Sequence, residues 1–218
     1  MLRLYDQRTG RAEPLPPGQA LRIQVLDGAG LRVPVVADLL RRVAQRGGRR
    51  VRAVSVPSAV AGEWAEYNIA PFEVLDVPVP DADVYVGGAG DGLCMDVAPE
   101  SGDTGSVDAL TLRLAMFEVP YREPLELTEA RLAGAAGRLE RWRGGVAQWA
   151  TAPGRPMNRE YVTEAEAALA DDLDAPGALA VLDRLAADPD VPPGAKLETV
   201  IHIDLVLALG LVSAIGSV

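Results

Sequence analysis

The sequence predicts an α/β protein with a parallel sheet in its first half and a helical bundle in its second. Strand, helix and strand patterns follow one another between residues 21 and 56. This is the spacing of a βαβ unit, whose two strands pair in parallel. Beyond residue 105 the apolar residues recur at steps of three and four, as on one face of a helix. We therefore expect two domains, residues 1–105 and residues 106–218.

The first half is predicted from alternation, glycines and prolines. Alternating apolar and polar side chains indicate a strand, and a single apolar face indicates a helix. Gly47-Gly48 marks the end of the helix predicted at residues 35–45. The predicted elements are, in order, a strand or hairpin (1–20), a strand (21–26), a helix (35–45), a strand (51–56) and a short buried strand (83–86).

The second half is predicted from helix caps and apolar stripes. Thr128, Asn158 and Asp174 stand where side chains that cap helices are preferred, and a last helix is expected to stop at Gly210. Including the segment 107–117, this gives five helices. The second of them carries a bundle-forming stripe, made of Leu132, Ala135, Leu139, Trp142, Val146 and Trp149.

The charge of the chain disfavours nucleic acid as a partner. The net charge is −10, and an acidic chain repels phosphate backbones unless its basic residues cluster. The densest basic run lies within residues 41–52. It is interpreted as the solvated face of a helix and its exit turn, and an anionic partner is the alternative.

The sequence is typical of a cytoplasmic protein. It contains one cysteine, Cys94, and therefore no intrachain disulfide, which suits a reducing compartment. The first residues lack the apolar run of a signal peptide. The longest apolar stretch, residues 205–215, is shorter than the ~20 residues that cross a bilayer. We expect no membrane association, and a monomer or weak dimer.

Two glycine-containing loops are the candidate ligand sites. The turn Asp27-Gly28-Ala29-Gly30 precedes the first helix, so Asp27, Gly28 and Gly30 could meet a small anion at the helix N-terminus, although Asp27 opposes it. The loop 87–92 could cradle a phosphate through Gly87, Gly88 and Asp91. The alternative for both loops is a plain turn that needs glycine for positive φ.

Other reactive side chains have simpler interpretations. Cys94 is expected to be a small buried residue, and His202 flanks the apolar face of the last helix without an evident triad partner. Asp171, Asp172 and Asp174 could hold a metal. The simpler interpretation is that Asp174 caps a helix and the other two are solvated.

Several segments resemble, in order, motifs of cysteinyl-tRNA synthetases and of the cysteine ligase of mycothiol biosynthesis. The opening segment, residues 2–10, which reads Leu-Arg-Leu-Tyr-Asp-Gln-Arg-Thr-Gly, is similar to their N-terminal signature. Residues 35–42 resemble a helix that reads Val-Val-Phe-Asp-Val-Leu-Arg-Arg in these families. Further similarities lie in residues 109–114, 121–125, 131–143 and 170–176. The resemblance implies that the sheet domain is a reduced, degenerate Rossmann-like domain, and that the chain is a truncated family member.

The catalytic motifs of these families are missing. Asp27-Gly28-Ala29-Gly30 stands where the family has His-Ile-Gly-His, whose two histidines engage ATP. The Lys-Met-Ser-Lys-Ser loop is expected near residues 96–106, which contain no lysine. The family also binds zinc through two Cys, a His and a Glu, whereas this chain has one Cys and one His. We therefore expect no zinc and no catalytic residue, and ATP is disfavoured.

Two function hypotheses follow from the resemblance. The first is a catalytically silent paralogue that acts as a binding or regulatory protein, with an unknown protein partner or small ligand and without tRNA. The alternative is a residual ATP-dependent ligase that activates cysteine or another amino acid. The alternative needs substitute cations for the triphosphate, for which Arg22, Arg32 and Arg52 are the candidates.

Overall fold

The computed structural model describes residues 1–26, 30–57, 64–104 and 107–216. Its strands are β1 (Arg3–Asp6), β2 (Arg11–Pro14), β3 (Ala20–Val25), β4 (Arg50–Ser55), β5 (Glu73–Val74), β6 (Val84–Val86), β7 (Leu93–Met95), β8 (Glu100–Ser101) and β9 (Leu125–Glu126). Its helices are α1 (Arg32–Arg46), α2 (Ala109–Phe117), α3 (Glu129–Trp149), α4 (Arg159–Ala170), α5 (Ala175–Ala187) and α6 (Pro193–Leu207).

A five-stranded parallel sheet forms the centre of the first half. Its strand order is β5-β4-β3-β6-β7, and β3 pairs with β4 in parallel, with Ile23 opposite Ala53. The predicted βαβ unit and the α/β class are thus confirmed. The chain leaves β3 towards β4 and β5 on one side and returns to β6 and β7 on the other. The topological switch point of the sheet therefore lies between β3 and β6.

The N-terminal hairpin is also confirmed, since β1 and β2 pair antiparallel. The hairpin is held against the last sheet strand, because the Gln7 N–H donates to the Cys94 carbonyl at 2.9 Å. In return the Cys94 N–H donates to Asp6 Oδ1 at 3.2 Å. Burial alone would raise the pKa of the Asp6 carboxyl, but hydrogen bonds from Arg8 and Cys94 hold that pKa below its ordinary value.

All five helices predicted for the second half are present, and the predicted caps are used. Thr128, Asn158 and Asp174 each accept a backbone N–H in the first turn of α3, α4 and α5. The predicted stripe of α3 is fully buried. The last helix ends earlier than expected, because Ala208 takes a left-handed conformation at φ 55° before Gly210 is reached.

One hydrophobic core joins the sheet and the helices. A contiguous cluster of buried apolar side chains runs from the sheet through α1 to every helix of the second half. At its centre the fully buried Asp38 of α1 contacts the fully buried Arg113 of α2, with Asp38 Oδ2 at 2.8 Å from Arg113 Nη2. Arg113 also donates to the carbonyls of Tyr67 and Leu207. This ion pair links the two halves of the chain.

The prediction that the basic run is a solvated face is wrong for its first two arginines. Arg41 is buried and Arg42 is half-buried, and both donate to the carboxylate of Asp38. They are drawn inwards because a buried carboxylate needs positive partners. Within the described ranges, no helix is long and apolar enough to cross a membrane.

Candidate functional site

Leu26, the last described residue before the first candidate turn, lies beside the start of the loop 87–92 at the carboxyl edge of the sheet, at its switch point. The Leu26 N–H donates to the Val86 carbonyl at 3.0 Å, and a Cβ on Gly88 would come within 2.7 Å of the Leu26 side chain. Ligands of open α/β sheets bind in such a crevice. Asp27 and Gly28 lie outside the described residues, whereas Gly30, Gly87, Gly88 and Asp91 lie within them.

A carboxylate of the chain itself occupies the N-terminus of α1. Glu100 Oε1 accepts the Leu31 N–H at 2.5 Å and the Arg32 N–H at 3.3 Å. Leu31, the capping residue, provides no side-chain hydrogen bond, so Glu100 replaces a cap. A negative group is stabilised at this end of a helix by the free N–H groups and the helix dipole.

Gly30 makes room for that carboxylate. Its φ is +85°, and a Cβ at this position would lie 2.0 Å from Glu100 Oε1. Any other residue would therefore both strain the backbone and displace Glu100. The structure thus gives the candidate Gly30 a definite role, which is to admit a side chain of the same chain to the helix N-terminus.

The arginines considered as substitute cations are already engaged. Arg32 is fully buried, and its guanidinium donates to four backbone carbonyls, those of Ala98, Val119, Pro120 and Glu123. Burial lowers the pKa of Arg32, and the nearby charge of Glu100 opposes this. Arg22 is paired with Asp81 and Asp83, and Arg52 with Glu73.

Two N–H groups of the glycine-rich loop already have acceptors within the chain. The Gly87 N–H donates to the Met95 carbonyl at 3.0 Å, and the Gly90 N–H donates to Cys94 Sγ at 3.3 Å. A Cβ on Gly90 would lie 2.4 Å from the ring of Tyr85. Asp91 is exposed and contributes its carbonyl to Arg8 Nη1 at 2.8 Å. These contacts favour the interpretation of the loop as a close-packed turn.

The residues present do not fit the family's zinc ion. The Cys94 thiol is buried and hydrogen-bonds to the backbone of its own loop. His202 Nε2 instead lies 2.9 Å from Glu166 Oε1, beside Arg46. In the described part of the chain, no three His, Cys, Asp or Glu side chains are grouped as metal ligands. A tetrahedral zinc site needs four such ligands together.

The expectation that Asp172 is solvated is wrong. Its Oδ1 accepts the Tyr5 N–H at 2.8 Å and the Tyr121 hydroxyl at 2.5 Å, and its Oδ2 accepts from Arg122 Nε at 2.8 Å. Burial is the largest cause that raises the pKa of Tyr121, and the hydrogen bond to Asp172 raises this pKa further. Sequence reasoning missed this cluster because its members come from three distant segments.

The structure is that of an α/β chain in which the Glu100 side chain occupies the N-terminus of α1 at the carboxyl edge of the sheet. No protein-family model matches the chain. Part of the chain is, however, similar to cysteine ligases. Over 81 residues it is 47% identical to the L-cysteine:1D-myo-inositol 2-amino-2-deoxy-alpha-D-glucopyranoside ligase of Streptomyces griseus subsp. griseus, a match that covers 37% of this chain and 19% of the ligase.

Ligases of the same name from other organisms give similar matches. The protein of Catenulispora acidiphila is 41% identical over 88 residues, which is 40% of this chain and 20% of the ligase. That of Streptosporangium roseum is 41% identical over 92 residues, or 40% of this chain and 22% of the ligase. The matched part of the chain thus spans about a fifth of the length of these relatives.

Proposed function

We propose that this chain is a cysteine-ligase-like protein that does not form an adenylate and acts as a binding or regulatory paralogue. The observation that carries the proposal is the Glu100 carboxylate on the Leu31 and Arg32 N–H groups. In an adenylate-forming site of this fold, that end of the crevice is where a phosphate would gain most from the helix.

Electrostatics oppose a triphosphate at this place. A phosphate charge about 4 Å from a carboxylate is repelled by about 4 kcal/mol in the partly shielded surroundings typical of a protein surface. Histidines of the His-Ile-Gly-His type and a lysine loop are both missing from the sequence. Each lost transition-state contact costs about 3 kcal/mol, so three such losses lower the rate by roughly a millionfold.

The partial similarity to cysteine ligases favours one alternative, a residual ATP-dependent ligase for cysteine or another amino acid. Such an enzyme would need Glu100 to move away and Arg32 to turn from its carbonyl partners towards the crevice. Both groups hold several hydrogen bonds that the movement would break. This cost is our reason for preferring the silent paralogue.

The remaining features of the proposal follow from charge and composition. We propose a cytoplasmic protein, monomeric or weakly dimeric, that binds neither zinc nor tRNA and whose partner is a protein or a small molecule. The net charge of −10 repels the tRNA backbone.

ATP binding tests the proposal directly. Calorimetric titration of the full chain with ATP and magnesium should give no saturable heat up to about 1 mM ATP. We therefore expect any binding free energy to be weaker than about −4 kcal/mol, the value for a dissociation constant of about 1 mM. Glu100→Ala and the exposed control Glu126→Ala should be compared with the unaltered chain. Saturable binding by the unaltered chain below about 0.1 mM would show that the crevice admits a triphosphate, and the alternative would then be preferred.

A further inference from the structure

We draw no further inference here: the strongest candidate, the polar cavity of about 350 Å³ beside α4 and the α5–α6 turn, is a cluster of acidic side chains in which Glu164 and Asp188 already have partners within the chain, and nothing in the structure shows what else would occupy it.

Discussion

Asp172 joins three segments that are distant in the sequence. It accepts hydrogen bonds from Tyr5 in the N-terminal hairpin and from Tyr121 and Arg122 before β9. The guanidinium of Arg122 also lies over the Tyr5 ring, 4.3 Å from its centroid. The three segments that resemble family motifs at residues 2–10, 121–125 and 170–176 therefore meet in one structural cluster. These three segments therefore contribute to the packing of the chain.

Replacing Asp172 should destabilise the whole chain. Asp172→Ala leaves the buried Tyr121 hydroxyl unpaired and places alanine at a φ of 56°, so we expect a loss of about 2–4 kcal/mol in unfolding free energy. Asp172→Asn keeps one acceptor and tolerates this φ, and should cost about 1 kcal/mol. Urea unfolding measures both. The adjacent, exposed Asp171→Ala should stay within about 0.5 kcal/mol, and an equal loss there would refute the cluster's role.

The buried Asp38 gives the protein a defined acid sensitivity. Burial alone would raise the pKa of Asp38, but Arg113, Arg42 and Arg41 outweigh it and hold the pKa below its ordinary value of 3.8. The unfolded chain therefore takes up the proton first. The stabilisation from Asp38 is complete above pH 3.8 and is lost as the pH falls through the lower folded value.

Asp38→Asn should cost about 3–5 kcal/mol at pH 7, because it leaves the buried Arg113 without its counter-charge. In urea unfolding, the difference in unfolding free energy between this variant and the unaltered chain should shrink as the pH falls below 3.8. Asp204, whose pKa is raised by burial, contributes to the pH dependence of the unfolding free energy with the opposite sign. Because Asp204 is present in both proteins, its contribution cancels in the difference between them. Asp183→Asn breaks a pair between the partly exposed Asp183 and the largely buried Arg138, and it should lower the unfolding free energy by about 1 kcal/mol or less. A pH-independent difference would contradict this assignment.

At the level of elements, local chemistry predicted the helices well. Thr128, Asn158 and Asp174 could be recognised as caps because capping depends on residues within one turn. The strand β7 and the β8–β9 pair were missed, because a strand of two or three residues has too little alternation to show. No local pattern assigns Glu100 a role, because its contact with the Leu31 N–H depends on a tertiary approach of two distant segments.

The cap of α4 offers a test at this scale. Asn158 Oδ1 accepts the N–H groups of Glu160 and Tyr161, so Asn158→Ala should lower the unfolding free energy by about 1 kcal/mol. Asn158→Asp should retain the cap and show little change. Thermal or urea unfolding of the three proteins decides this, and equal stability of the alanine and aspartate variants would mean that the cap contributes nothing.

At the scale of the whole molecule, the βαβ spacing predicted that β3 and β4 pair in parallel, and the structure confirms it. Sequence order could not reveal that Gly30 admits Glu100 to the helix N-terminus, or that Arg32 turns inwards to backbone carbonyls. Those two contacts support the proposed silent paralogue over its ATP-dependent alternative.

The most direct test of that claim is cysteine-dependent exchange of pyrophosphate into ATP, at saturating ATP, magnesium and cysteine. Adenylate formation needs oriented positive groups around the α-phosphate, and the crevice presents the carboxylate of Glu100 instead. We predict a rate indistinguishable from the blank without protein. A rate clearly above the blank that disappears in Asp27→Ala or Gly28→Val would contradict the silent-paralogue account and favour the alternative, an enzyme that activates cysteine.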